Sequence, residues 1–148
     1  FMKLIEGTIK SNNLNVVLDL EENIRLHSYP NELNQCLINI FNNAKDVLKD
    51  VSEDDRYFFI NAKKEKDQLI LRLLDSGGGI KDDIILKIFE PYFTTKHKSQ
   101  GTGLGLHMTY NIITDGLKGS IEASNQTFDY DGHSLIGAQF TIKIPLSI

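Results

Sequence analysis

The chain contains one cysteine, Cys36, and no tryptophan. A single thiol excludes a disulfide framework and a cysteine-based zinc site, and points to a reduced, cytoplasmic setting. Neither sign of charge is in large excess: 16 Lys and Arg face 20 Asp and Glu, a net charge of −4. A nucleic-acid partner normally demands a strong basic excess, so that class is excluded. Long hydrophobic runs are also missing. None approaches the ~20 residues of a membrane helix, and no secretory leader is visible, so this domain is expected to make no direct membrane contact. What is present fits one ordinary domain: 148 residues, 41% hydrophobic and 24% charged, enough for a real core. The chain opens Phe-Met-Lys-Leu-Ile inside a stretch that is already helical in pattern. It therefore reads as a piece of a longer protein, and the anchoring of that parent stays open.

No repeat, low-complexity tract or linker divides residues 1–148. Residues 1–12 read as a connecting helix with Leu4, Ile5 and Ile9 on one side. "LNVVLDL" (14–20) alternates, with Leu14, Val16, Leu18 and Leu20 on one face, as a strand does. "NIRLHSY" (23–29) reads as a weaker second strand. Pro30 suits the first turn of a helix, and residues 31–49 carry Leu33, Leu37, Ile40, Ala44, Val47 and Leu48 at helical spacing. "YFFINAKKE" and "QLILRLLD" follow as two strands joined near Lys66-Asp67. "KDDIILKIF" (81–89) reads as a short helix, residues 91–103 as a long loop, and the next helix runs to about Asp115, where Gly116 breaks it. "GSIEASNQ" and "GAQFTIKIPL" form a last strand pair, with "DYDGHS" as a polar loop between them. Strands at both ends and helices between them imply an α/β fold, a two-layer sandwich whose mixed sheet is covered on one face by helices.

Three segments carry chemistry. "QGTGLGLHMTYNI" (100–112) has glycine at every second position, Gly101, Gly103 and Gly105, and then becomes an apolar helical pattern. No strand runs into these glycines and no Gly-Lys-Ser/Thr ends them, so neither a dinucleotide fingerprint nor a P-loop is present. Glycine-exposed N–H groups at a helix start still suit phosphate. Residues 91–114 support that reading, with Lys96, His97, Lys98 and His107 and no carboxylate. "LLDSGGGI" (73–80) places Asp75 at the end of an apolar strand, followed by glycines. A carboxylate there needs a donor partner, and the exocyclic amine of adenine is one. On the helix "NQCLINIFNNAKDVL", Asn39, Asn43 and Asp46 fall at spacings of four and three, in one stripe bordering the apolar face. Amide oxygens in such a stripe suit Mg²⁺ that is otherwise held by nucleotide phosphates. Each segment alone also has a plain explanation, as turn glycines or surface asparagines.

Their order is the stronger signal. An Asn-bearing helix, strand-Asp-Gly-Gly-Gly, "IFEPYFTTK" and "GTGLGL" together resemble the catalytic ATP-binding domain of sensor histidine kinases. That domain belongs to the superfamily of DNA gyrase, the heat-shock chaperone ATPase and the mismatch-repair ATPases. "NQCLINIFNNA" looks like the family's N box, "DSGGGI" like its first glycine box, "IFEPYFTTK" like its F box and "GTGLGL" like its second glycine box. The resemblance spans about residues 4–146 and implies the Bergerat-type ATP-binding fold. It implies ATP and Mg²⁺ as cofactors, with Asp75 on the adenine amine and Gly77, Gly79 and Ile80 at its wall. It implies Asn43 on the metal and Asn39 and Asp46 on the same stripe. Residues 91–103 become a lid anchored by Phe89 and Phe93. Lys96 or Lys98 and the segment Gly101, Thr102, Gly103, Leu104, Gly105 and Leu106 then fall on the phosphate side.

Two positions depart from the family pattern. Asp46 stands where many members carry a basic residue, which moves the expected cation to Lys96 or Lys98. Gly137-Ala138-Gln139-Phe140 replaces the common Gly-Thr-x-Phe, removing a hydroxyl beside the adenine site. The resemblance also separates kinases from ATPases. The water-activating ATPases of the superfamily have a glutamate four positions before the metal asparagine, and Asn39 occupies that place here. Asparagine accepts no proton at neutral pH. None of the four histidines, His27, His97, His107 and His133, sits in a helix with an acid following it. The expected protein is thus the catalytic part of a histidine kinase. Its partners are a separate dimerisation domain bearing the acceptor histidine and a response regulator receiver domain downstream. The alternatives are a gyrase-type ATPase and a non-catalytic nucleotide-binding module.

Overall fold

The computed structural model describes residues 2–91, 93 and 105–147. Helix α1 (Met2–Asn12) leads into strand β1 (Asn15–Leu20), and helix α2 (Pro30–Leu48) crosses over to β2 (Tyr57–Glu65) and β3 (Gln68–Asp75). A short α3 (Asp82–Ile85), α4 (Gly105–Asn111), β4 (Ser120–Tyr130) and β5 (His133–Pro145) complete the order. The five strands form one mixed sheet, β1-β2-β3-β5-β4. The β1–β2 pair is parallel, as the α2 crossover requires, and the other pairs are antiparallel.

Alternation along the strands decides which face is buried. Phe58 and Ile60, Leu71 and Leu73, and Phe140 and Ile142 point to one face. There they share a core with Cys36, Ile40, Phe41, Ala44 and Leu48 of α2, and with Ile113 and Leu117 beyond α4. This is the expected sandwich. Pro30 starts α2, where the N–H it lacks would have had no partner within the helix, and Asp82 and Asp83 begin α3. On the opposite face Tyr57 stacks on Phe59, and Phe59 meets Phe128 and Tyr130 edge-on.

Three local expectations change. Residues 23–29 form no strand: His27 makes one isolated bridge to Ser147, and its N–H reaches Leu146. The chain it meets lies just past Pro145, which has no N–H to continue a ladder. Asn23 at φ 64° also breaks the extension, while Ile24 and Leu26 still pack on the core. Helix 81–89 shrinks to the 4 residues of α3, because Lys87 and Glu90 turn back to residues three before them in tighter turns. The polar "DYDGHS" is no loop. β4 and β5 run on until Tyr130 pairs with His133, and Asp131 and Gly132 make a tight turn at φ 50° and 79°. Leu18 and Leu20 lie on the inner face of β1 but stay 47% and 52% exposed, since β1 is an edge strand that the helices do not cover there.

Ile5 is buried and Ile9 packs on the core, as the α1 pattern implies, while the Leu4 side chain is outside the described set. α4 gives way to a π-helical turn, Ile112–Gly116, at the expected break. Among the described residues no helix is long and apolar enough to cross a membrane.

Candidate nucleotide site

The apolar run of β3 carries Asp75 into the interior, where it is 6% exposed. Its Oδ1 accepts the N–H of Gly77 at 2.9 Å and of Ala138 at 3.2 Å. Both of these bonds fall on the same carboxylate oxygen. Burial pushes the carboxyl above its ordinary value, and the two N–H donors pull partly the other way. A buried carboxyl whose two backbone donors share one oxygen suits a further donor such as an amino group.

The backbone around Asp75 is held by its neighbours. Ser76 is 5% exposed; its hydroxyl accepts the Tyr57 N–H and donates to the Asp55 carbonyl, tying the end of β3 to the start of β2. A β-carbon on Gly137 would overlap the carbonyl oxygen of Asp75, so β5 passes Asp75 only because that residue is glycine. Gly77 has Val47 of α2 against it, with Cγ2 only 2.5 Å from where a β-carbon would stand. The Gly78 N–H donates to Ile136, and Ile80 packs half-buried against the core. Ile80 also exchanges two hydrogen bonds with the side chain of Asn125, at 2.7 and 2.6 Å.

Helix α2 meets the Asp75 loop through Val47, which stands against Gly77. Asn39, Asn43 and Asp46 are all half-buried. Asn39 is a bridge between helices: its amide donates to the Gly105 carbonyl at 3.3 Å and the Thr109 hydroxyl at 3.1 Å, and its oxygen accepts from Gln35. Thr109, fully buried, donates to the same Gly105 carbonyl. Asp46 lies 3.9 and 3.8 Å from the ammonium groups of Lys45 and Lys49 on its own helix. No group of three or more His, Cys, Asp or Glu among the described residues could cage a metal. A hard cation here needs oxygens from elsewhere, and one amide oxygen from Asn43 with nucleotide phosphates is the pattern that Mg²⁺ accepts.

At the start of α4, Leu106 is half-buried, and His107 lies 3.0 Å from the Phe89 carbonyl and 3.2 Å from the Asn111 amide. The Phe89 ring packs on Tyr110 and Phe140, and Phe93 packs half-buried against the core. Gly105 begins the helix. Lys96, Lys98, Gly101, Thr102, Gly103 and Leu104, His97 and most of the 91–103 loop lie outside the described residues. Sequence reasoning missed Ser76, Thr109 and Asn125. Their spacing from the motifs carries no local signal, since each acts across 19 to 70 residues of chain.

Residues 28–148 match the family described as histidine kinase-, DNA gyrase B-, and HSP90-like ATPase. The chain belongs to that family. Among curated relatives of this ATPase domain, the two-component sensor PprA of Pseudomonas aeruginosa is 36% identical over 120 residues, 78% of this chain and 12% of PprA. Sensor histidine kinase ZraS of Salmonella typhimurium is 32% identical over 147 residues, 98% of this chain and 29% of ZraS. The chain thus spans less than a third of either relative. The catalytic domain of histidine kinase ThkA, in a nucleotide-free form, superposes with a TM-score of 0.80 at 28% identity, over 99% of this chain and 90% of that one. The family membership and fold agree with the resemblance drawn from the four boxes, on its histidine kinase side.

Proposed function

We propose that this chain is the catalytic ATP-binding domain of a two-component sensor histidine kinase. It binds Mg²⁺-ATP and passes the γ-phosphate to a histidine on a separate dimerisation domain. In this reading Asp75 Oδ2 takes the adenine amine, and Gly77, Gly79 and Ile80 shape the base wall. Asn43 ligates Mg²⁺, and the segment from Lys96 to Leu106 serves the phosphates, with Phe89 and Phe93 at its base. Residues 1–12 connect to the rest of the parent.

The observation that carries the reading is the buried Asp75 carboxylate, whose bonds to the Gly77 and Ala138 N–H groups both fall on one oxygen. Phosphotransfer rather than hydrolysis is supported by Asn39, an amide already committed to Gly105 and Thr109. A group so engaged, with no proton affinity at neutral pH, does not activate water. The imidazoles of His107 and His133 are engaged, by Phe89 and by Asp55 at 2.7 Å, which supports an acceptor outside the chain. ThkA has been solved in complex with response regulator protein TrrA, and a receiver domain of that kind is the expected downstream partner. Calorimetric titration with ATP, ADP and GTP tests the base site. ATP and ADP should bind and GTP should not, because guanine presents a carbonyl where adenine presents a donor. Equal binding of GTP would contradict the assignment of Asp75.

A further inference from the structure

The loop Asp75–Ile80 is held at both ends by one rung of the β4–β5 hairpin. β3 pairs with β5 no further than Gln139, but the hairpin continues past that point. On its next rung Asn125 pairs with Ala138. The Ala138 N–H donates to Asp75 Oδ1 at one end of the loop. At the other end, Asn125 Oδ1 accepts the Ile80 N–H at 2.7 Å, and Asn125 Nδ2 donates to the Ile80 carbonyl at 2.6 Å. The amide thus supplies the donor and acceptor that a neighbouring strand would supply, and extends the sheet by one side chain.

Gly79 is fitted to this contact. It sits at φ +83°, and a β-carbon there would stand 2.9 Å from Asn125 Oδ1. A side chain at Gly79 would both strain the backbone and push the amide off Ile80.

We infer that Asn125 is a positioning residue for nucleotide binding, holding the Gly77–Ile80 wall in register with Asp75 before the base arrives. The inference rests on the nucleotide-site reading above. Asn125 is exposed, so water replaces its bonds when it is removed and the core is untouched. What is lost is loop order, which the ligand must then restore on binding.

The test uses the whole chain with Asn125→Ala and Asn125→Asp, reading ATP affinity, thermal midpoint and hydrogen exchange at the Ile80 amide. Asn125→Ala should weaken ATP by about three- to tenfold, speed exchange at Ile80, and leave the midpoint nearly unchanged. Asn125→Asp keeps the acceptor for the Ile80 N–H and loses the donor. It should preserve Ile80 protection and recover part of the affinity. Faster Ile80 exchange with unchanged ATP affinity overturns the inference. So does an affinity loss no larger than the unfolded fraction explains. A wild-type chain that binds no ATP overturns the underlying site reading instead.

Discussion

Gly137 and Asp75 are in van der Waals contact through their main chains, with no space for a β-carbon on Gly137. The contact places the next residue, Ala138, where its N–H meets the Asp75 carboxylate. Gly137→Ala should force β5 away from Asp75. Overpacking of this kind costs roughly 1–3 kcal/mol or more, so the thermal midpoint should fall clearly, and ATP binding should weaken further in the fraction that folds. A variant with wild-type stability and affinity would show that the strands have slack at this point.

Asp75→Asn separates binding from stability. Its loss of ATP affinity should be on the order of 1–3 kcal/mol, as for other hydrogen-bonded polar sites. The empty protein should respond in the opposite sense. Burial raises the folded pKa of Asp75, so its stabilising contribution is complete below the ordinary carboxylate value and is lost as pH rises through the folded value. Above the ordinary carboxylate value the buried carboxyl therefore costs the empty fold stability. Asp75→Asn keeps an acceptor for Gly77 and Ala138, so it should raise the midpoint of the empty chain at pH 7 relative to wild type. The difference should shrink on acidification from neutral pH toward the carboxylate range. Thermal melts across that range, without nucleotide, give the answer.

Asn43→Ala should weaken Mg²⁺-ATP far more than metal-free nucleotide, because an amide oxygen is a neutral ligand whose loss appears as altered Mg²⁺ dependence. Titrations with and without EDTA distinguish this from a packing role, which weakens both forms equally.

Asn39→Ala removes the α2–α4 bridge while Thr109 keeps its bond to Gly105. The expected cost is about 0.5–1.5 kcal/mol of stability, read as a shift in denaturant midpoint. Phosphate release should not increase. A rise in hydrolysis would mean that Asn39 restrains a water that another group activates.

The sequence made the layers and the boxes legible because both depend on short-range patterns. Helical spacing over 31–49 found α2, and alternation found β2 and β3, since burial on one face enforces each period. Asp75 was legible as a carboxylate ending an apolar strand. Residues 23–29 misled because alternation does not say whether a partner strand is available, and Pro145 limits this one to a single bridge. The hairpin tip was hidden by polar composition, although Asp131-Gly132 is the dipeptide that tight hairpins favour. The Asn125 clamp and the Asn39–Thr109 bridge join residues 45 and 70 apart, and no local pattern encodes such pairs. The asparagines of α2 read alike in sequence, yet Asn39 proves to be a strut between helices.

The most direct test supplies the chain with Mg²⁺-ATP and a dimerisation domain bearing an acceptor histidine. Acid-labile, base-stable phosphate on the acceptor and free phosphate are followed in one time course. The account predicts that phosphate accumulates on the acceptor histidine, that Asp75→Asn suppresses it, and that the chain alone releases phosphate only very slowly. Rapid release of free phosphate without any acceptor would contradict the kinase reading and place the protein with the hydrolytic ATPases of its family.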